Sequence, residues 1–233
     1  MRSTFAPLAT CSLLGLSLSG CFGLQNNVTS ETGVFGDSGM SAALADSATP
    51  TTVALSGKLY VIAPADLNLV DPAGLNDLFH AALKDNVLVY VAQESQTSLT
   101  LDLSLAGSDG KQNPCEKVRT LPTAQWENPT FVAGPGEMDV SFAGTPATLR
   151  HLTVSGTFDQ YAFNWRDGSL TAQLDGRELS SALGGADACT LVANAGGSCE
   201  ACDDGVVACV TLTFAGVVAS QSNDSYDTSP TCQ

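Results

Sequence analysis

The cysteines constrain this fold more than any other feature of the sequence. Six of the 8 cysteines lie between Cys115 and the C-terminus. In an oxidising compartment, an even number of this kind predicts a framework of three disulfides. The turn Asp203-Asp204-Gly205 brings Cys202 back toward Cys209, which favours that pair, although six cysteines also allow other connectivities. The favoured set is Cys115 with Cys232, Cys189 with Cys199, and Cys202 with Cys209.

The spacing Cys199-x-x-Cys202 also allows two kinds of chemistry. A redox-active pair lies at the start of a helix, where the helix dipole favours the thiolate. Here Asp203 and Asp204 follow at once, and neighbouring carboxylates disfavour a thiolate. A zinc ribbon needs two knuckles of this spacing, and the chain has one. The sequence therefore favours disulfides over a redox pair or a zinc site.

Residues 1–20 predict export. Arg2 precedes a mildly apolar stretch that ends in small residues, which is the layout of a secretory signal peptide. The stretch is too short and too rich in Ser, Thr and Pro to span a bilayer permanently. Export would carry the rest of the chain into a compartment that oxidises cysteines.

The end of this segment resembles the lipobox of bacterial lipoproteins. Leu18-Ser19-Gly20-Cys21 places a large apolar residue and two small residues before a cysteine. The resemblance implies that Cys21 becomes the first residue of the mature chain and carries acyl chains, so that the lipidated cysteine binds the membrane. Phe22, rather than Asp, follows. By the same resemblance this favours the outer membrane, on its periplasmic face or at the cell surface.

The charge balance argues against one class of partner. The chain carries 9 Lys and Arg against 24 Asp and Glu, a net charge of −15. A chain this acidic is repelled by nucleic acid, so we expect no nucleic-acid partner. The carboxylates are spread along the sequence, which indicates a solvated surface rather than an acidic tail.

The mature chain divides into a tether and one domain. Residues 21–52 are rich in Ser, Thr, Gly, Ala and Asn without an apolar period, which predicts a flexible tether. Residues 53–233 predict a single β-rich domain with a Cys-rich C-terminal segment, because alternating apolar and polar residues recur between Asp-Gly turn signals. The clearest alternating run is Leu99, Leu101, Leu103 and Leu105.

This alternation predicts a mainly β fold, an antiparallel sandwich or barrel with one or two short helices and a disulfide-stapled C-terminal part. The clearest helix is predicted over residues 71–86, with Asp71 as N-cap and Pro72 at the first helical position. Its apolar face leaves His80 outside. The face consists of Leu75, Leu78, Phe79, Ala82 and Leu83.

Motifs for catalysis are incomplete. Ser38 in "VFGDSGM" resembles the nucleophile block of GDSL-type esterases, and Asp77-x-x-His80 resembles the pair that supplies their base. In that family the nucleophile follows a buried strand and the Asp-x-x-His lies near the C-terminus, unlike the arrangement here. His80 and His151, the only histidines, lie on solvated faces by pattern. We therefore predict no catalytic residue, no metal site and no cofactor.

A longer stretch resembles a group of lipoproteins. The motifs "VSGTF" (154–158), "QLDGREL" (173–179) and "CEACDDGVVACVTLTF" (199–214) occur in this order, as in uncharacterised cysteine-containing lipoproteins of myxobacteria and their relatives. The group has no assigned activity, so the resemblance implies a lipoprotein module without named catalytic residues.

Together these features predict a lipid-anchored cell-envelope protein that acts as a binding or structural module, with an envelope protein or another surface molecule as its partner. An envelope enzyme, either a hydrolase or a thiol-disulfide oxidoreductase, is the alternative. A carrier of a small lipophilic ligand is a third option, which a closed barrel with an apolar interior would favour.

Overall fold

The computed structural model describes residues 49–232. A sheet of 11 strands dominates this part of the chain. The strands are β1 (Leu59–Ile62), β2 (Asn68–Asp71), β3 (Val87–Glu94), β4 (Ser98–Leu105), β5 (Arg119–Thr120), β6 (Ala124–Glu127), β7 (Thr130–Phe142), β8 (Thr145–Phe158), β9 (Asn164–Asp175), β10 (Glu200–Ala201) and β11 (Val207–Ser222). The helices are α1 (Asn76–Ala82), α2 (Ala188–Asn194) and the 3-10 helices Pro64–Asp66, Ala73–Leu75 and Gly176–Leu179. The predicted mainly antiparallel β fold with short helices is confirmed.

The sheet closes on itself. β1 pairs antiparallel with β3 through Leu59 and Tyr90, and with β11 through Leu59 and Ser222. The order around the closed sheet is β1, β3, β4, β6, β7, β8, β9 and β11. The short strands β2 and β10 pair with β11, and β5 pairs with β4. The described domain is therefore a closed barrel, which decides between the two architectures that the sequence left open.

The long strands follow the period of two that the sequence predicts, with interruptions at bulges in β7, β8 and β11. On β8 the buried apolar residues are Ala147 and Leu149 before His151, and Leu152, Val154 and Phe158 after it. His151 has φ +52° and lies in a bulge where the register with β9 shifts. Because the bulge inserts one extra residue, both apolar runs face the core despite their opposite parity.

The two ends of the barrel have different interiors. Where β8 ends and β9 begins, the ring of Phe131 lies 5.3 Å from that of Phe158 and 4.9 Å from that of Trp165. Trp165 is fully buried because Gly156 leaves room for it; a Cβ on Gly156 would overlap the indole ring. We call this the aromatic end. The opposite end, where β7 and β9 end and β11 begins, is the pocket end.

The helix predicted over residues 71–86 is wrong at both ends, because α1 covers only Asn76–Ala82 and Leu83 is extended. Asp71 ends β2, where it pairs with Thr213 of β11, so it is not an N-cap. α1 begins only at Asn76, whose side-chain Oδ1 accepts the Leu69 N–H at 2.9 Å. Sheet pairing of Asp71 outweighs the local helix-start signal of the Asp-Pro pair.

The structure contains the three disulfides that the sequence favoured: Cys115–Cys232, Cys189–Cys199 and Cys202–Cys209. The first ties the loop after β4 to the C-terminal tail. The tail packs on the outside of the barrel, where Tyr226 stacks on Tyr90 with ring centroids 4.7 Å apart.

The other two disulfides lie at the pocket end. Cys189–Cys199 fastens α2 to the chain just before β10, and Cys202–Cys209 closes the β10–β11 hairpin.

Several predictions fall on the N-terminal part of the chain. The signal peptide, the lipobox residues Leu18 to Cys21 and Ser38 lie outside the described residues, as does the tether up to residue 48. Thr51 and Thr52, predicted as the last tether residues, are hydrogen-bonded to the barrel. Within residues 49–232, none of the helices combines the length and the hydropathy that crossing a bilayer requires.

Candidate apolar binding pocket

A cavity of about 290 Å³ lies at the pocket end, between the barrel and its two α-helices. Phe142 at the end of β7 and Leu212 on β11 contribute the barrel side of the lining. Phe79 on α1 and Val192 on α2 contribute the helix side. The volume is close to the lower limit of typical ligand pockets, and about twice that of an engineered cavity of roughly 150 Å³ that binds benzene.

The side chains that line the pocket are all apolar. The lining consists of Leu, Phe, Val and Ala side chains and one glycine, with no polar or charged side chain among them. Placing a charge or an unpaired polar group in such surroundings costs several kcal/mol. The pocket can therefore accept a hydrocarbon chain or ring, whereas a charged head group would have to remain in water at its mouth.

Leucines mark the side of the pocket that is open to water. Leu78 on α1 is 47% exposed although it lines the cavity. Leu183 and Leu191 also line it and are only partly buried. Partly exposed leucines around a cavity are typical of a ligand-binding surface rather than of a sealed packing defect.

Two local features position the α2 wall. Asp187 caps the helix by accepting hydrogen bonds from the Thr190 N–H at 2.9 Å and from its hydroxyl at 2.8 Å. These bonds favour the carboxylate and lower the pKa of Asp187. Gly176 allows the preceding 3-10 helix to approach α2, because a Cβ there would lie 2.7 Å from the Ala188 Cβ.

An ion-pair network holds the 3-10 helix Gly176–Leu179, which precedes α2. Arg177 binds Asp175 at 2.6 Å and Asp204 at 2.8 Å, which links the end of β9 to the β10–β11 turn. Hydrogen bonds from Arg177 are the main reason that the pKa of Asp175 is lowered. Beside it, Arg150 pairs with Glu178. The network holds the 3-10 helix whose Leu179 lines the pocket.

The cysteines at this end do not form a metal or redox site. Ligand atoms of Asp175, Cys202 and Cys209 lie within 4.8 Å of one another. The two sulfurs are bonded to each other, so they cannot supply the thiolates that zinc requires. Cys199 and Cys202 belong to different disulfides, so they do not form the Cys-x-x-Cys pair of an oxidoreductase.

The histidines are not part of the pocket lining. His151 is exposed, and its Nε2 lies 3.0 Å from the Asp203 Oδ1. His80 is partly buried on α1. Among the hydrogen bonds of residues 49–232, none joins either imidazole to a hydroxyl. Asp77 and His80 lie on α1, but Ser38, which would complete the esterase motif, lies outside the described residues.

Sequence reasoning identified only part of this pocket. The apolar face of the predicted helix contains Leu75, Leu78, Phe79 and Ala82, all of which line the pocket, but the sequence gives no sign that this face borders a cavity. The second wall, α2, was not predicted. Its signal is the Asp187 cap three residues before Thr190, followed by Ala188, Leu191 and Val192 at helical spacing.

The chain matches no protein-family model, no curated protein and no solved structure. What this molecule does must therefore follow from its own residues and geometry.

Proposed function

We propose that this chain is a lipid-anchored protein of the cell envelope that binds a small apolar ligand in the pocket between the barrel, α1 and α2. The observation that carries the proposal is the combination of lining side chains that are all apolar with the exposed Leu78 at the mouth of the pocket. If this space were only an imperfection of core packing, we would expect the Leu78 side chain to fill it rather than to lie exposed at its edge.

The anchor is supported by the sequence. Leu18-Ser19-Gly20-Cys21 resembles a lipobox, and the predicted tether separates Cys21 from the barrel. The three disulfides agree with an oxidising compartment. The resemblance of the motifs within residues 154–214 to myxobacterial lipoproteins supports the same location, the outer membrane.

The chemistry of the lining limits the ligand to neutral hydrocarbon groups. A ligand that buries about 200 Å² of apolar surface gains roughly 5 kcal/mol at about 25 cal/mol per Å². The loss of translational and rotational freedom offsets part of this gain. We therefore expect weak to moderate affinity for one short acyl chain or one or two fused rings, with any polar group left at the mouth.

The proposal is tested with the neutral dye N-phenyl-1-naphthylamine, whose fluorescence rises in apolar surroundings. We expect saturable binding to the full mature protein, with decanol competing and short polar alcohols not competing. Ala81→Phe adds a ring at an exposed lining position and should weaken dye binding at least tenfold. Ala193→Phe, an equal change at an exposed position of α2 outside the lining, is the control and should leave the affinity unchanged.

Equal dye binding by wild type and both variants would place the dye elsewhere and refute the pocket as the site. The anchor is tested separately by the intact mass of the membrane-extracted protein. We expect a chain that starts at Cys21 and carries acyl mass. A chain that retains residues 1–20, or that starts at Cys21 without acyl mass, contradicts the anchor.

A further inference from the structure

The β8–β9 connection presents two aromatic side chains to water at the aromatic end. Tyr161 is 57% exposed and Phe163 is 60% exposed, with ring centroids 6.1 Å apart. All other aromatic side chains of residues 49–232 are buried or half-buried. An exposed pair of aromatic rings does not stabilise a monomer in water, and such apolar patches often mark an interaction surface.

This loop is held rigidly in the exposing conformation. Asp159 accepts four hydrogen bonds, from the N–H groups of Tyr161, Phe163 and Asn164 and from the Asn164 amide, each at 3.0 Å. Ala162, between the two rings, is fully buried, and its carbonyl accepts the Tyr60 hydroxyl at 2.9 Å. The hydrogen bonds of Asp159 and Tyr60 therefore fix the loop backbone. The exposure of the two rings results from this ordered conformation.

The chain from the N-terminus joins the barrel beside the same loop. The Thr52 N–H and hydroxyl donate to the Gln160 carbonyl at 2.9 and 3.1 Å. The Thr51 N–H donates to the Asn128 side chain at 2.7 Å. Val53, the next residue, is also exposed. The aromatic pair thus lies at the end of the domain to which the predicted tether is attached.

We infer that Tyr161 and Phe163 insert into the interfacial layer of the bilayer that carries the Cys21 anchor. The inference rests on the lipid anchor of the proposed function. A chain of about 30 residues with the tether's composition spans roughly 30 Å, so anchoring keeps the aromatic end close to the membrane. Aromatic rings are enriched at membrane interfaces because they combine an apolar body with tolerance of polar head groups.

The charges at this end favour neutral or zwitterionic head groups. The net charge of −15 repels an anionic surface. Locally, the Asp159 carboxylate is occupied by backbone and amide groups. The Lys58 ammonium lies beside the loop, because it donates to the Gln221 side chain at 2.9 Å while the Gln221 N–H donates to the Phe163 carbonyl at 2.8 Å. Lys58 can therefore meet a lipid phosphate next to the inserted rings.

This orientation sets the direction from which the pocket is filled. β8 alone has 14 residues, which at about 3.3 Å per residue separates the aromatic end from the pocket end by roughly 40 Å of strand. With the aromatic end on the bilayer, the mouth at Leu78 faces away from the anchoring membrane.

The test is depth-dependent fluorescence quenching in vesicles. Tyr161→Trp is introduced into the full mature protein, which is reconstituted through its acyl chains into phosphatidylcholine–phosphatidylethanolamine vesicles containing nitroxide-labelled lipid. Val207→Trp, at the most exposed apolar position of the pocket end, is the matched control. Wild type supplies the background of the buried Trp126 and Trp165. After subtraction of this background, we expect severalfold stronger quenching in the Tyr161→Trp variant than in the Val207→Trp variant.

Three outcomes overturn the inference. Equal quenching of both reporters in acylated protein refutes the orientation and leaves the anchor intact. In the Tyr161→Trp variant, the reporter emission could shift to the blue only at high protein concentration and remain unquenched. This result would assign the rings to a contact between copies of the chain. Absence of acyl mass in the same preparation refutes the anchor, and that failure is recognised by the mass spectrum alone.

Discussion

The two ends of the barrel are formed by the same strands, but the interior of one end is filled and the interior of the other contains a cavity. At the aromatic end, Phe131, Phe158 and Trp165 fill the space between the sheet walls. At the pocket end, Phe79 and Phe142 contact each other with ring centroids 5.3 Å apart but leave a cavity of about 290 Å³ beside them. Helices and disulfide-bonded segments cover the pocket end, whereas the connection at the β8–β9 end is a short loop.

Under the proposed function, packing and ligand binding are separated along the barrel axis. A filled end can hold a rigid loop, because the buried aromatic rings pack against the loop backbone. A hollow end can accept a ligand only if its walls are held in place by something other than packing. Here Cys189–Cys199, Cys202–Cys209 and the Arg177 network provide that support.

The largest expected effect comes from removing one ring at each end. Phe131→Ala should lower the free energy of unfolding by about 3–5 kcal/mol, because it opens a void in a filled core. Phe79→Ala should lower it by about 1–2 kcal/mol less, because the Phe79 ring already borders a cavity and has no partner atoms to lose on that side. Chemical unfolding of the full chain measures both.

Ligand binding provides the second readout for this pair. Phe79→Ala should change dye affinity, since the ring lines the pocket, and Phe131→Ala should not. If the two variants lose the same stability and neither alters dye binding, the two ends do not differ in the way proposed.

A smaller effect is expected from the disulfide that fastens α2. Replacing Cys189 and Cys199 together by Ala opens a loop of sequence separation 10, which corresponds to about 2–3 kcal/mol of stability in the chain-entropy account. Dye affinity should fall as well, because α2 forms one wall. Thermal unfolding and dye titration measure the two effects.

Its control is the double replacement of Cys202 and Cys209 by Ala, which removes a bridge of separation 7. Stability should fall by a similar amount, with a smaller change in dye affinity, because that bridge closes a hairpin rather than holding α2. An unchanged dye affinity after removal of Cys189–Cys199 would show that the position of α2 does not depend on this disulfide.

The smallest effect concerns the loop at the aromatic end. Burial by itself would raise the pKa of Asp159, but the hydrogen bonds from Asn164, Phe163 and Tyr161 outweigh burial and lower it. The stability gained from this carboxylate is therefore fully present above the ordinary Asp pKa of 3.8 and is lost as the pH falls through the lower folded-state value.

Asp159→Asn should lower stability at pH 7 by about 1–2 kcal/mol, because one acceptor of the backbone N–H groups is replaced by a donor. The variant should also lose less stability than wild type between pH 4 and pH 2, measured by urea unfolding. Asp167→Asn, the same change at an exposed position of the neighbouring strand β9, is the control. An identical pH dependence of wild type and Asp159→Asn would contradict the role of this carboxylate.

Much of the fold could be predicted from local patterns. Alternation from Leu99 to Leu105 predicted the strand β4, and the acidic turn before Cys209 predicted the Cys202 bridge. The start of α1 could not be predicted, since Asp71 and Pro72 resemble a helix start but Asp71 pairs with β11 instead. Half of the pocket was visible as an apolar helix face, but a face of this kind does not reveal whether it meets a partner or a cavity.

The strand period, the Cys202–Cys209 bridge and the acidic charge could be predicted from the sequence alone, because each depends on residues close together in the chain or on composition. The Cys115–Cys232 bridge spans 117 residues and was one of several possible connectivities. That the sheet closes and that one end remains hollow is established only by the three-dimensional structure. Closure requires β1 and β11, whose paired residues Leu59 and Ser222 are far apart in sequence. The pocket likewise joins Leu69 to Leu212, and no local pattern records the space left between segments so distant.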